Sequence, residues 1–172
     1  MITRIEWIDF IIKDGLLDLD REEGFCFLAL INRDGKWVTN GIIQNFGMVD
    51  GLASSFNTAA EILAIGRKPK AMSEAVNRVL EINGGIVAIE DGRVAYEFPL
   101  PLGGLMSDLS MRDLARKDKE LREFLSKRGY PYHDPLYTFI FLPNDFLPEV
   151  RINYRGIVDI RKDNVLWERK DL

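Results

Sequence analysis

Residues 83–107 read NGGIVAIEDGRVAYEFPLPLGGLMS, and this stretch determines the fold predicted for the chain. Its two leading glycines can adopt the left-handed geometry that ends a helix. An apolar run, an Asp-Gly turn and a second run follow, and in the second run Val94, Tyr96 and Phe98 share one face. The pattern predicts a β-hairpin. After the hairpin, two prolines remove backbone donors and two glycines permit a sharp turn.

A second hairpin is predicted upstream, over residues 24–44. The apolar run 25–31 and a return strand beginning at Trp37 flank another Asp-Gly turn. Because the run 25–31 has no polar alternation, we expect both of its faces to be covered. Gly41 lies inside the return strand, which indicates a bulge or the close approach of another backbone.

Two helices are predicted from periodicity and capping. Residues 69–82 carry a proline where a first helical turn tolerates it and end at an Asn-Gly pair. Ser110 followed by Asp113 forms a capping-box pattern that opens a helix over residues 110–128. The predicted apolar face of the first helix consists of Met72, Ala75, Val76, Val79 and Leu80.

Three further segments have the apolar content of strands: residues 2–12, 150–154 and 157–160, the last of them followed by a charged tail. Short strands joined by turns, with too few helices for regular βαβ units, predict an α+β fold. We expect largely antiparallel β-sheets with β-hairpins and two main packed helices. A chain of 172 residues fits a single domain over residues 1–172.

Composition excludes several functional classes. The net charge is −4, so broad attraction to nucleic acid or to an anionic membrane is not expected. No stretch approaches the roughly 20 apolar residues of a membrane span. The single cysteine, Cys26, lies in an apolar run, which predicts a buried thiol and no internal disulfide. These features favour a cytoplasmic protein.

The order of the motifs resembles the C-terminal domain of the adenine deaminase family, within the amidohydrolase superfamily. A helix ending in Ile-x-Gly-Gly is followed by Ile-Val, an Asp-Gly turn and then Pro-Leu-Pro-x-x-Gly-Leu-Met-Ser. The resemblance extends over residues 31–160. It implies that the metal ligands lie in an N-terminal barrel, absent from this chain, with motifs such as His-x-His. Similar segments occur in the same order at residues 45–47, 53–55, 75–78, 134–136 and 155–159.

The chain departs from the resembled family after its paired serines, Ser54 and Ser55. Full family members carry a His-Asp-Ser-His-Asn cluster in this region, a grouping suited to metal binding or proton transfer. Here residues 56–61 read FNTAAE, with Glu61 as the only ionisable side chain. Ser54, Ser55 and Glu61 are therefore expected to lie near a site without forming a catalytic set.

Hydrolytic deamination of adenine requires a metal-activated water and an acid/base group. The only histidine of this chain is His133, in a turn flanked by prolines, and no residues have metal-ligand spacing. We therefore predict no catalytic residue, metal ligand or cofactor in this chain, and an inactive isolated domain. A divalent transition metal is expected only in a full-length family member.

The Pro/Gly segment is a candidate interface. Its two prolines and two glycines favour a rigid surface that a partner's backbone can approach, and apolar side chains exposed together on it would favour association. The expected partner is the N-terminal amidohydrolase barrel or a second copy of the chain. The alternative is that the leucines and methionine fill the domain's own core. The segment comprises Pro99, Leu100, Pro101, Leu102, Gly103, Gly104, Leu105, Met106 and Ser107.

Two functions remain open from sequence. The chain is either the C-terminal domain of an adenine deaminase, packed against the catalytic barrel that converts adenine to hypoxanthine and ammonia, or a free-standing interaction or small-ligand-binding module. The intact Pro-Leu-Pro-x-x-Gly-Leu-Met-Ser segment favours the first function. The missing His-Asp-Ser-His-Asn cluster favours the second.

Overall fold

A computed structural model describes residues 24–172 and, upstream of them, the backbone of Ile5–Glu6. Its strands and helices confirm the α+β prediction. Every strand pair among the described residues is antiparallel. The elements in chain order are β1 (Ile5–Glu6), β2 (Phe25–Ile31), β3 (Trp37–Gln44), β4 (Gly51–Ser54), β5 (Ile62–Gly66), α1 (Pro69–Glu81), β6 (Gly85–Glu90), β7 (Arg93–Pro99), α2 (Met111–Ser126), α3 (Pro135–Phe141), β8 (Val150–Asn153), β9 (Gly156–Asp159), β10 (Asn164–Glu168) and β11 (Lys170–Asp171).

The strands form two sheets. The larger sheet has the order β1-β3-β2-β5-β4-β6-β7, and β11 also pairs with β3 at its edge. The smaller sheet has the order β10-β9-β8. Of the strand predicted over residues 2–12, Ile5–Glu6 pairs with β3, and the remaining positions lie outside the described residues.

The upstream hairpin is confirmed as β2 and β3, which pair in one continuous register from Phe25 opposite Gln44 to Ile31 opposite Val38. The interpretation of Gly41 was wrong in part. This glycine pairs regularly and forms no bulge. It is approached by a side chain rather than by a backbone, because a Cβ at this position would lie 3.1 Å from the Cδ1 of Ile157.

The central hairpin is confirmed as β6 and β7, but the predicted common face of β7 was wrong at one position. Tyr96 and Phe98 are buried, whereas Val94 is 50% exposed. Ala88 pairs with Tyr96 and the next residue, Ile89, pairs with Val94, so β7 contains one extra residue. Such a bulge breaks the two-residue alternation that the prediction assumed.

Helix α1 lies on one face of the large sheet, over β4, β5 and β6. Four of the five residues predicted for its apolar face are buried. Leu80 is the exception and is 48% exposed. Successive helical residues point about 100° apart. Val79 faces the sheet, so Leu80, the next residue, lies at the edge of the buried face of the helix.

Helix α2 begins as predicted. The hydroxyl of Ser110 accepts a hydrogen bond from the backbone N–H of Asp113 and donates one to its carboxylate, at 3.2 and 2.7 Å. The bond from Ser110, together with one from Arg116, lowers the pKa of Asp113. Leu121 and Leu125 dock this helix into the core.

Three elements of the C-terminal half were not predicted: α3, β10 and β11. Asp134 caps α3 by accepting a bond from the Leu136 N–H at 3.0 Å. The strand predicted at residues 157–160 corresponds to β9, but β10 and β11 follow it, so it is not the last strand. β11 is two exposed charged residues, and β10 has three apolar residues in a row between polar ends, so neither strand shows the apolar alternation by which half-buried strands are recognised.

The core lies on both faces of the large sheet. One cluster joins the sheet to α2, α3 and the small sheet through residues such as Phe46 and Phe139, and the other packs under α1. The Cys26 thiol is buried as predicted, and burial raises its pKa to about 11. No helix within the described residues is long and apolar enough to span a membrane.

Candidate functional site

The Pro/Gly segment, residues 99–107, forms a closed turn beyond the end of β7. The backbone N–H of Leu102 donates to the carbonyl of Met106 at 3.1 Å, and the N–H of Met106 donates back to Leu102 at 3.2 Å. Gly103 and Gly104, between them, have φ angles of +67° and +75°. Side chains other than glycine rarely adopt these angles, so the glycine pair fixes the shape of the turn.

The side chains of this segment divide into two groups. Leu100 is buried in the main core, so the expectation that it would be exposed with the others was wrong. It follows Phe98 inward by the alternation of β7, and its N–H is held by the carbonyl of Gly84 at 3.0 Å. The apolar side chains exposed on the segment are Leu102, Leu105 and Met106.

The other residues of the segment shape the turn. Pro101 and Gly103 are exposed, Pro99 and Ser107 are half-buried, and Gly104 is buried. The hydroxyl of Ser107 accepts a hydrogen bond from the Leu109 N–H at 3.3 Å. That bond lies between the turn and the start of α2, so the segment is ordered at both ends.

Ser55 anchors this turn to the sheet. Its fully buried hydroxyl donates to the carbonyl of Gly104 at 2.7 Å and accepts the N–H of Gly85 at 2.8 Å. The end of β4, the start of β6 and the Pro/Gly turn thus meet at one side chain. Ser54 takes no part in this junction, because its hydroxyl accepts the N–H of Phe56.

Glu61 has a different neighbourhood. Its carboxylate accepts hydrogen bonds from the side-chain amide of Asn32 at 2.9 Å and from the backbone N–H of Arg33 at 2.8 Å. It therefore secures the turn between β2 and β3. Asn57, which sequence reasoning missed, is buried and binds the Glu61 carbonyl at 2.8 Å. This bond closes the loop formed by residues 56–61.

The same loop borders a cavity of about 470 Å³. Its far wall comes from residues 143–146 and 153–154, which the sequence did not associate with residues 56–61. The Asp145 carboxylate there accepts a hydrogen bond from Asn153 at 2.9 Å. Aromatic rings of Trp37, Phe146 and Tyr154 line the same space. The cavity could hold a small molecule with both polar and flat apolar surface.

Arg33 is the second residue that sequence reasoning missed. Its guanidinium lies against Gly104, where a Cβ would come within 2.6 Å of Nη2. Its Nε and Nη2 atoms are buried and have no hydrogen-bond partner within the described part of the chain. A cavity of about 200 Å³ opens beside it, lined by Arg33, Ser55, Ile62, Val79, Leu80, Asn83 and Gly84. Arg33 precedes an Asp-Gly turn, and nothing in that local sequence indicates its contact with Gly104.

The metal implied by the family resemblance does not fit the described residues. Across residues 24–172, no three His, Cys, Asp or Glu side chains cluster closely enough to hold a metal ion. His133 is exposed in the connection before α3. The carboxylates of Glu61 and Asp145 are each occupied by hydrogen bonds within the chain.

Comparison with known proteins gives a consistent match. Residues 1–164 match the family model described as "Adenine deaminase C-terminal domain". The chain is 41% identical over 152 residues to "Putative adenine deaminase YerA" of Bacillus subtilis, covering 88% of this chain and 26% of that protein. It is 30% identical over 163 residues to "Adenine deaminase" of Mesorhizobium japonicum, covering 92% of this chain and 27% of that protein. The chain thus spans about a quarter of the length of these relatives.

Proposed function

This chain belongs to the family of adenine deaminase C-terminal domains, and from that premise we propose that it serves as the non-catalytic part of an adenine deaminase. The full-length protein would hydrolyse adenine to hypoxanthine and ammonia. The main support for this proposal is the length of the chain, which corresponds to only 26% of the Bacillus subtilis relative.

The partner of the domain would be the larger N-terminal part of the same protein. Three exposed apolar side chains, Leu102, Leu105 and Met106, support the Pro/Gly segment as the contact surface. The turn that carries them is fixed by paired glycines and by Ser55, so little conformational entropy is lost when a partner docks on it. A divalent transition metal would be held by the N-terminal part and not by this chain.

A small-ligand-binding module is the second candidate function. The cavity of about 470 Å³ favours it, since its aromatic and carboxylate lining adjoins residues 56–61, where the resembled family carries histidines. A cytoplasmic location suits both functions. It is supported by a composition with one buried cysteine and therefore no internal disulfide.

The proposed function predicts that this chain can replace the C-terminal quarter of a full-length relative. We expect a chimera built on the Mesorhizobium japonicum adenine deaminase to release ammonia from adenine, because that enzyme's own N-terminal part would supply the metal site. The chain alone should release none. Ammonia production by the purified chain would contradict the proposal, as would a soluble, metal-loaded chimera without activity.

The contact surface can be tested by replacing Leu102 and Met106 together with serine. Both side chains are largely exposed, so we expect the isolated chain to keep its thermal midpoint within about 2 °C. In the chimera the same change should weaken attachment to the N-terminal part, seen as faster tryptic release of the domain. Met111→Ser is the matched control, because Met111 is 81% exposed and lies outside the segment. Unfolding of the double variant would show that the patch belongs to the core.

A further inference from the structure

The cavity of about 470 Å³ beside residues 56–61 is lined by negative charge without positive charge. Its described lining includes two carboxylates, Glu61 and Asp145, and no lysine, arginine or histidine. Glu61 accepts hydrogen bonds from the side-chain amide of Asn32 and from a backbone N–H, and Asp145 accepts one from the amide of Asn153. All these donors are neutral. They hold the carboxylates in place and leave both negative charges uncompensated.

Two arginines close to the cavity are committed to other carboxylates. Arg155 directly follows the far wall in sequence and pairs with Asp163 at 2.6 Å. Arg169 lies over the Trp37 ring, 5.6 Å from its centroid, and pairs with Asp171 at 2.9 Å. Neither arginine therefore neutralises the cavity, and an added cation would still find two carboxylates that lack an ion pair with the described residues.

Aromatic rings supply much of the remaining lining. Trp37 is buried, whereas Phe146 and Tyr154 are 78% and 55% exposed. Exposed apolar side chains gathered in one concave site are typical of binding surfaces. The face of an aromatic ring carries partial negative charge and attracts cations. The carboxylates and the rings therefore favour the same kind of ligand, an organic cation.

Buried asparagines hold the far wall of the cavity. The side-chain oxygen of Asn144, which is 1% exposed, accepts the N–H of Phe146 at 3.0 Å. The amide of Asn153, which is 3% exposed, donates to the Asp145 carboxylate at 2.9 Å. The near wall is attached to α3, because the hydroxyl of Thr58 donates to a carbonyl of that helix at 3.0 Å. The site is thus largely formed before a ligand arrives, which lowers the entropic cost of binding.

We propose that this cavity binds a small organic cation, an ammonium or quaternary ammonium group carried on a short apolar chain. The cation would lie between the carboxylates and the exposed rings of Phe146 and Tyr154. The carboxylates would repel an anion, and a neutral flat base would leave their charges uncompensated. The inference rests on the second candidate function, a small-ligand-binding module, and deepens it because it names the class of ligand.

The first test titrates the purified chain with choline chloride, with sodium chloride at the same ionic strength as the reference. We expect choline to shift the NMR signals of Phe146 and of the Asn153 side-chain amide, with a dissociation constant on the order of 1 mM. Dimethylbutanol, which has the shape of choline without its charge, should bind about fivefold more weakly. Tyr137 is the internal control, because it is 63% exposed and does not line the cavity. Shifts at Phe146 no larger than those at Tyr137, or equal affinity for the two probes, would overturn the proposal.

The second test removes the charge and the ring separately. Asp145→Asn keeps an oxygen that can accept the Asn153 amide, so we expect an unchanged thermal midpoint and about fivefold weaker choline binding. Phe146→Leu should weaken binding about threefold. Asp108→Asn is the matched control, since it removes an exposed carboxylate outside the cavity and should leave choline binding unchanged. The same choline affinity in Asp145→Asn and Asp108→Asn would contradict the proposal.

Adenine, which is flat and uncharged at neutral pH, separates this inference from the function on which it rests. If adenine shifts the signals of Phe146 and Asn153 and choline does not, the class of ligand is wrong and the binding module stands. If neither probe binds, the inference and the second candidate function fail together. Choline binding to the isolated chain that is lost in the Mesorhizobium japonicum chimera would show that the N-terminal part covers the cavity, which also overturns a ligand site there.

Discussion

Replacing Gly84 by alanine is expected to lower the free energy of unfolding by about 3 kcal/mol. Gly84 has a φ of +116°, which strains any residue with a side chain. The added Cβ would also lie 2.5 Å from the Cα of Gly104 and 3.0 Å from the carbonyl oxygen of Leu100. Both contacts are with backbone, which cannot rotate away. Urea unfolding followed by tryptophan fluorescence measures the loss.

Gly103→Ala is the matched control for that variant. Its φ of +67° is also left-handed, but a Cβ at Gly103 would meet nothing within 4 Å. We therefore expect only the conformational strain, about 1 kcal/mol. Equal losses at Gly84 and Gly103 would contradict the argument. They would mean that the contact between the end of α1 and the Pro/Gly turn is loose enough to accept a methyl group.

This comparison also bears on function. Gly84 and Gly104 are separated in sequence by the whole β6-β7 hairpin, yet they touch. The contact holds the Pro/Gly turn against the end of α1, beside the cavity that adjoins Arg33. We expect Gly84→Ala to disturb attachment in the chimera more strongly than Leu102→Ser with Met106→Ser, because it moves the turn rather than trimming its surface.

The elements that sequence predicted well depend on short-range rules. Asp-Gly turns between apolar runs determined both hairpins, and the Ser110 cap determined the start of α2. Each signal involves residues within a few positions of one another, so the local sequence contains it. The α+β class followed from the order of these elements, and the family resemblance agreed with the match over residues 1–164.

The wrong predictions concern residues whose burial depends on parts of the chain that are distant in sequence. Leu80 is apolar at a helical spacing that fits the core, but it lies at the edge of the face that α1 packs on the sheet and is 48% exposed. Val94 is exposed because a bulge adds one residue to β7, and nothing in the sequence indicates that bulge. Neither fact is encoded within the neighbouring residues. Leu100, in contrast, is buried by the alternation of β7 after Phe98, so the local sequence does indicate its position.

The candidate site was predictable only in pieces. The sequence identified the Pro/Gly segment and Ser55 separately, and the fold joins them through the Gly104 carbonyl. It also grouped Ser54 and Glu61 with Ser55, although their hydrogen bonds serve other loops. Arg33 was missed because five strands and a helix separate it in sequence from Gly104, which it contacts. Sequence motifs identified the Pro/Gly segment and the serines, but only their contacts in the folded chain show what each of them does.

Replacing Ser55 by alanine is expected to cost about 3 kcal/mol, because it leaves two buried backbone groups without partners. The hydroxyl accepts the N–H of Gly85 and donates to the carbonyl of Gly104, at 2.8 and 2.7 Å. A methyl group can do neither. The change removes little volume, so the loss would report on hydrogen bonding rather than on packing. Urea unfolding gives its size.

Ser54→Ala provides the matched comparison, since Ser54 is equally buried and adjacent. Its hydroxyl accepts one N–H, that of Phe56 at 3.1 Å, so we expect a loss of about 1 kcal/mol. Hydrogen exchange distinguishes the two variants further. The Met106 N–H, bound to the Leu102 carbonyl within the turn, should exchange faster in Ser55→Ala and at the normal rate in Ser54→Ala. Unchanged exchange at Met106 in both variants would show that the turn keeps its shape without Ser55, and that the shape depends on its glycines alone.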